Sequence, residues 1–123
     1  MNEIKNARIE STMLGWEDHG ILSCWLTLDY GGSGQGFGGY ALDEPIHEKG
    51  QFICRRGTDY GMQFVEGIMK AVGADSWEKL KGMHCRVEGP AGWGAGPVKR
   101  IGHFLKDQWF DPEELLKRIK DAA

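Results

Sequence analysis

Residues able to recognise an anion or a ring are scattered along this chain. Arg55-Arg56 stands just ahead of Thr58 and Asp59, which open a helical pattern. Two guanidinium groups beside free helix N–H groups would suit a phosphate. The commoner reading of such a pair is a solvated charge pair. Lys99, Arg100, His103 and Lys106 form a basic run. On a strand, Lys99, Ile101 and His103 face one side and Arg100, Gly102 and Phe104 the other. One subunit therefore cannot gather them all into one pocket, whereas a pocket between subunits can. A solvated edge strand guarded by lysines fits the same residues.

Trp93 stands alone in GPAGWGAG, a tip with almost no other side chains. Its ring folds over neighbours, packs on another subunit or stacks on a ligand base. Trp109-Phe110 precedes the last helix at the staple position; Phe110 suits the core and Trp109 is left open. His19 belongs to a turn beside Glu17 and Asp18, and His47 lies in an irregular stretch. His84 adjoins Cys85, but such a pair is not a zinc site. No catalytic constellation, metal-ligand spacing or cofactor signature emerges, which favours holding a molecule over reacting with it.

Gly34-Gln35-Gly36-Phe37-Gly38-Gly39 spells GxGxxG. A dinucleotide fingerprint must follow a strand and open a helix, yet GYALD follows, which is not helical. No lysine with serine or threonine closes it as a P-loop. A bulged or sharply bent strand connection fits better, with a backbone nest for an anion as the alternative.

These residues need elements to place them. Residues 4–16 alternate as a strand, with Ala7, Ile9 and Met13 on one side. Glu17 to Gly20 supplies a turn, and residues 21–30, apolar on both faces, make the partner strand of a hairpin. Gly31 to Gly39 bends the chain, and residues 40–43 continue as a short strand. Residues 44–57 read as an irregular lobe broken by Pro45 and Gly50. Met62, Val65, Ile68, Met69 and Val72 set a helix over 58–72, capped by Thr58 or Asp59 and ended by Gly73. A short helix follows Asp75 and closes at Gly82. Residues 83–88 and 97–105 form a hairpin around the Trp93 tip. Asp111-Pro112-Glu113-Glu114 starts the final helix, with Lys117, Arg118 and Lys120 near its end.

The pattern predicts one α+β domain over residues 1–123, an antiparallel sheet of about five to six strands with two to three helices. The 123 residues suit one domain with its own core. A net charge of −3 supplies no global field toward nucleic acid duplexes or anionic lipid. No apolar run reaches the ~20 residues of a membrane span, and MNEIKNARIE lacks the apolar centre of a signal peptide. Cys24, Cys54 and Cys85, without any CxxC, read as reduced and mostly buried thiols of a cytoplasmic protein. The 19 glycines and five tryptophans stand out. They imply close backbone approaches and either core indoles or flat stacking surfaces.

The segments IKNARIESTMLGWEDHGILSCWLTLDYGGSGQGFGGYALD and IGHFLKDQWFDP, roughly half the chain, resemble the phage-encoded Thoeris anti-defence sponges of the first described type. That resemblance implies a cytoplasmic protein of the infected bacterial cell that binds cyclic ADP-ribose isomers made by TIR-domain immune proteins. It implies sequestration without cleavage, homo-oligomers with pockets between subunits, and in some members separate sites for cyclic trinucleotides. It also implies an antiparallel sheet with helices. Dispersed cations and exposed aromatics suit a pyrophosphate and an adenine. Arg55, Arg56, Trp93, Arg100, His103, Lys106, Trp109 and His84 are the candidate ligand-binding residues. Two other classes compete. One is direct blocking of a host or defence protein, with Trp93, Trp109 and Tyr60 as anchors. The other is an enzyme degrading a signalling nucleotide, with His19, His84 or His103 as acid or base.

Overall fold

The structure, a computed structural model, describes residues 2–91 and 97–122. Strand β1 (Asn2–Trp16) is long enough to serve two partners. Its first half pairs with β6 (His84–Pro90), from Asn2↔Pro90 to Arg8↔His84. Its second half pairs with β2 (Leu22–Asp29), from Arg8↔Asp29 to Trp16↔Leu22. A register shift between Ile9 and Ser11 marks the handover. With β3 (Gly34–Gly38), β7 (Arg100–His103) and β8 (Trp109–Phe110), the antiparallel sheet runs β3-β2-β1-β6-β7-β8.

Alternation decides which face is buried. Cys24, Leu26 and Leu28 of β2, Ala7 and Ile9 of β1, and Cys85 and Val87 of β6 point to one side and are buried. Helices α1 (Asp59–Val72) and α2 (Pro112–Ala122) close that side. Phe64 of α1 sits at the centre, with Phe110 edge-on at 4.9 Å between ring centroids and Tyr40, Tyr60 and Phe37 around it. The capping is as the residue types require: Thr58 Oγ1 accepts from the Gly61 N–H, and Gly73 ends α1 at φ 96°. Asp111 Oδ1 accepts from the Glu113 N–H at the start of α2. The α+β expectation therefore holds: the described residues form a single compact domain with a six-stranded antiparallel sheet, a two-stranded sheet and two α-helices.

Local readings change in four places. The supposed irregular lobe is a ribbon of β4 (Asp43–Glu48) and β5 (Gln51–Gly57). Its two-residue turn, Lys49 at φ 51° and Gly50 at φ 79°, has the positive φ at both positions that tight hairpins favour. Pro45 is tolerated because a two-stranded ribbon leaves an outer edge free of ladder bonds. The glycine stretch is a strand, β3, and the expected strand over 40–43 is not formed. The helix expected after Asp75 is a single 3-10 turn, Trp77–Leu80. Met13, expected on the side of Ala7 and Ile9, lies opposite Trp25 on the other face, beyond the register shift. Cys24 and Cys85 are buried and Cys54 is exposed on the ribbon, in line with mostly buried thiols.

Candidate functional site

The sheet face opposite the helices carries most of the residues that could meet a ligand. Trp25 on β2 projects there and lies flat across β3. A Cβ at Gly36 would stand 3.2 Å from its ring, and one at Gly39 only 2.5 Å. Its indole N–H donates to Glu17. Gly36 and Gly39 thus bed a tryptophan, while Gly34 and Gly38 lie against the Leu28 and Cys24 carbonyls, so packing accounts for the glycines of the GxGxxG spelling.

Trp109 repeats the arrangement at the other end of the sheet. It pairs with Gly102, where a Cβ would lie 2.5 Å from the ring. The guanidinium carbons of Arg100 and Arg86 lie over it at 4.2 and 5.0 Å. Its N–H donates to Asp107 Oδ1 at 2.8 Å. Trp109 is therefore already a stacking partner within its own chain.

The cationic candidates separate into committed and available groups. Arg55 donates from Nε and Nη2 to Asp43 Oδ1, at 3.1 and 2.8 Å. The Leu22 N–H donates to the other Asp43 oxygen at 3.0 Å. The Arg55 guanidinium and these bonds hold the Asp43 carboxyl below the usual carboxylate range, and Asp43 in turn holds Arg55 charged. Arg56, the next residue on β5, points to the opposite face and lies 4.0 Å from Glu44. The two arginines do not converge on one point. Arg100 donates to Glu88 Oε1 at 2.9 Å, and this bond lowers the Glu88 pKa. His103 faces the helix side and accepts the backbone N–H groups of Leu105 and Lys106 at Nδ1, 3.0 Å each. Lys106 is exposed. Trp93 lies outside the described residues.

One corner of the open face is different. His84 is exposed, with its ring 5.4 Å from Phe104. Arg86, two residues along β6 on the same face, donates from Nε to the His103 carbonyl and from Nη2 to the Lys106 carbonyl, both at 2.8 Å. Among the described residues Arg86 has no carboxylate at ion-pair distance, so its charge is not neutralised locally. A shallow hollow of about 260 Å³ adjoins His84, lined by Asn6, Arg8, Asp29, Tyr30 and Gly31 as well. Arg8 lies 3.7 Å from Asp29 in a half-exposed pair. The structure thus brings His84 and Lys106 toward one corner, places Arg100 beside Arg86 on the Trp109 ring but paired with Glu88, and leaves Arg55 and Arg56 elsewhere. Arg86, Phe104 and Arg8 are additions to the sequence-derived set. The outward alternation His84, Arg86, Glu88 was available as a signal for Arg86.

Chemically, this corner offers positive charge, donors and a ring. Among the described residues, no group of three or more His, Cys, Asp or Glu side chains is placed to hold a metal ion. No helix among them is long and apolar enough to cross a membrane. Comparison with protein-family models, curated proteins and solved structures gives no match.

Proposed function

We propose that this protein is a phage anti-defence protein that binds a cyclic nucleotide immune signal and withholds it without cleaving it. The proposed ligand is a cyclic ADP-ribose isomer made by TIR-domain proteins in the cytoplasm of an infected bacterium, with cyclic oligonucleotides as the second candidate class. The single observation that carries this reading is the corner formed by His84, Arg86, Phe104 and Lys106. It sets a guanidinium without a carboxylate partner beside an exposed ring, which is what a pyrophosphate joined to an adenine requires. The resemblance of residues 4–43 and 101–112 to the sponge family supports the same reading, and those segments supply β1 to β3 and the loop that Arg86 holds. The corner is shallow in one chain, so a closed pocket calls for a second copy.

Calorimetric titration with cyclic ADP-ribose isomers tests this, followed by heat release and chromatography of the ligand. Tight binding with intact ligand recovered is the expected result. Arg86→Lys keeps the charge but not the forked donors and should weaken binding about tenfold or more. Absence of binding to every isomer overturns the proposal and favours direct contact with a defence protein. Turnover at low protein-to-ligand ratio replaces it with an enzyme.

A further inference from the structure

The loop that leaves β7, residues 104–107, is tied down from both sides of the sheet. His103 is the last residue of β7 and pairs with Cys85, so its ring lies on the helix side. Its Nδ1 accepts the N–H groups of Leu105 and Lys106, at 3.0 Å each. From the open face, Arg86 donates to the carbonyls of His103 and Lys106, at 2.8 Å each. Lys106 is therefore held at its N–H from one side of the sheet and at its carbonyl from the other. The far end of the loop is fixed as well. The Gln108 carbonyl accepts from the His103 N–H at 2.9 Å, and the Gln108 side chain donates to the Lys70 carbonyl in the last turn of α1 at 3.3 Å.

A ring nitrogen that accepts two N–H groups carries no proton, so the His103 ring holds its proton on Nε2. Gly73, the left-handed residue that ends α1, stands against that ring. A Cβ at Gly73 would come within 3.1 Å of Cδ2 and 3.3 Å of Nε2. The ring is thus packed on a helix end, and its one acceptor is occupied by its own chain. An acceptor bonded to Cγ that takes the N–H groups two and three residues ahead reproduces an Asx turn, with an imidazole nitrogen in place of the amide oxygen. The turn carries Phe104 to the His84 ring, 5.4 Å between centroids.

We propose that His103 is a positioning residue. It shapes the 104–107 loop through Nδ1 and so sets Phe104 and Lys106 at the corner from the opposite side of the sheet, without touching what binds there. This role replaces the ligand contact that its residue type suggested. The effect on ligand affinity rests on the functional reading above; the effect on the loop does not.

Which nitrogen matters is the test. His103→Asn puts an acceptor on Cγ, where Nδ1 stands, whereas His103→Gln puts it one bond further out, toward the place of Nε2. Nitrogen-15 spectra of the native protein should show a bare Nδ1 and a protonated Nε2 at His103. Amide hydrogen exchange at Leu105 and Lys106 should quicken about tenfold or more in His103→Ala and His103→Gln, and stay near native in His103→Asn. Far-ultraviolet circular dichroism of each variant separates loss of the loop from loss of the fold. Titrated with the cyclic ADP-ribose isomers, His103→Ala and His103→Gln should bind about tenfold more weakly than the native protein, and His103→Asn within about threefold of it. A proton on Nδ1, native exchange rates in His103→Ala, an affinity unchanged in His103→Ala, or an affinity that His103→Gln restores and His103→Asn does not, overturns the proposal. A native protein that binds no isomer removes the functional reading, and the nitrogen spectra and exchange rates then decide the positioning role by themselves.

Discussion

Burial sets the reactivity of individual side chains. Desolvation in the core pushes the Cys24 and Cys85 thiols up to about 12, so neither supplies thiolate near neutral pH. Cys54 is exposed on the ribbon. A thiol reagent should therefore label Cys54 alone in the native protein and all three cysteines in denaturant, counted by intact mass. Asp43 is the corresponding polar case. Its folded pKa lies below its unfolded value, so its contribution to stability is complete above the unfolded pKa and fades as pH falls through the folded one. Glu88 acts in the same direction through Arg100. Thermal melts should drop steeply below about pH 4, and less steeply in Asp43→Asn. At neutral pH, Asp43→Ala should cost about 1–3 kcal/mol by urea denaturation, since the Leu22 N–H and Arg55 lose their acceptor.

Elements here are shaped by what lies against their glycines. Gly61 is inside α1, where alanine ordinarily gains about 1 kcal/mol. A Cβ at Gly61 would instead strike the Leu42 carbonyl oxygen, which the chain brings in from the β3–β4 connection. Gly61→Ala should therefore destabilise, opposite in sign to its helix propensity, and a denaturation midpoint reads the sign directly. Gly38, at φ 135°, is similarly confined by the Cys24 carbonyl, and Gly39 by the Trp25 ring. Replacing Trp25 by alanine in a Gly39→Ala background should recover part of the stability that Gly39→Ala alone removes, a coupling measurable by a double-mutant cycle. The 58–72 helix and the final helix were legible because caps and apolar spacing are local. The ribbon was not, because Lys49-Gly50 is an unremarkable pair until its turn is seen, and residues 44–57 lack the alternation of a half-buried strand.

At the scale of the molecule, one core cluster joins the six-stranded sheet to both helices, from Leu26 and Phe37 through Phe64 and Ile68 to Phe110 and Leu115. Unfolding at a fixed concentration should be a single transition, with tryptophan fluorescence and far-ultraviolet circular dichroism giving coincident curves. The same architecture leaves a whole sheet face without helices, and the candidate corner sits there.

Local chemistry in the sequence determined the fold class, the two helices with their caps, the inward placing of Ala7 and Ile9 on β1, and the absence of helical pattern after the GxGxxG spelling; it misplaced Met13, because the register shift after Ile9 turns that residue to the Trp25 face. It also determined that His103 and Arg100 face opposite sides, because strand geometry alternates. Tertiary structure alone decided which charges remain available. Arg55 and Asp43 are 12 residues apart and Arg100 and Glu88 also 12, yet only strand pairing shows that each arginine is neutralised by its acid. It alone revealed that Gly36 and Gly39 make room for the Trp25 indole while Gly34 and Gly38 lie against the Leu28 and Cys24 carbonyls, and that Arg86, unremarkable in the chain, has no carboxylate partner among the described residues. These are contacts across strands, set by register and packing, and no stretch of sequence encodes them by itself.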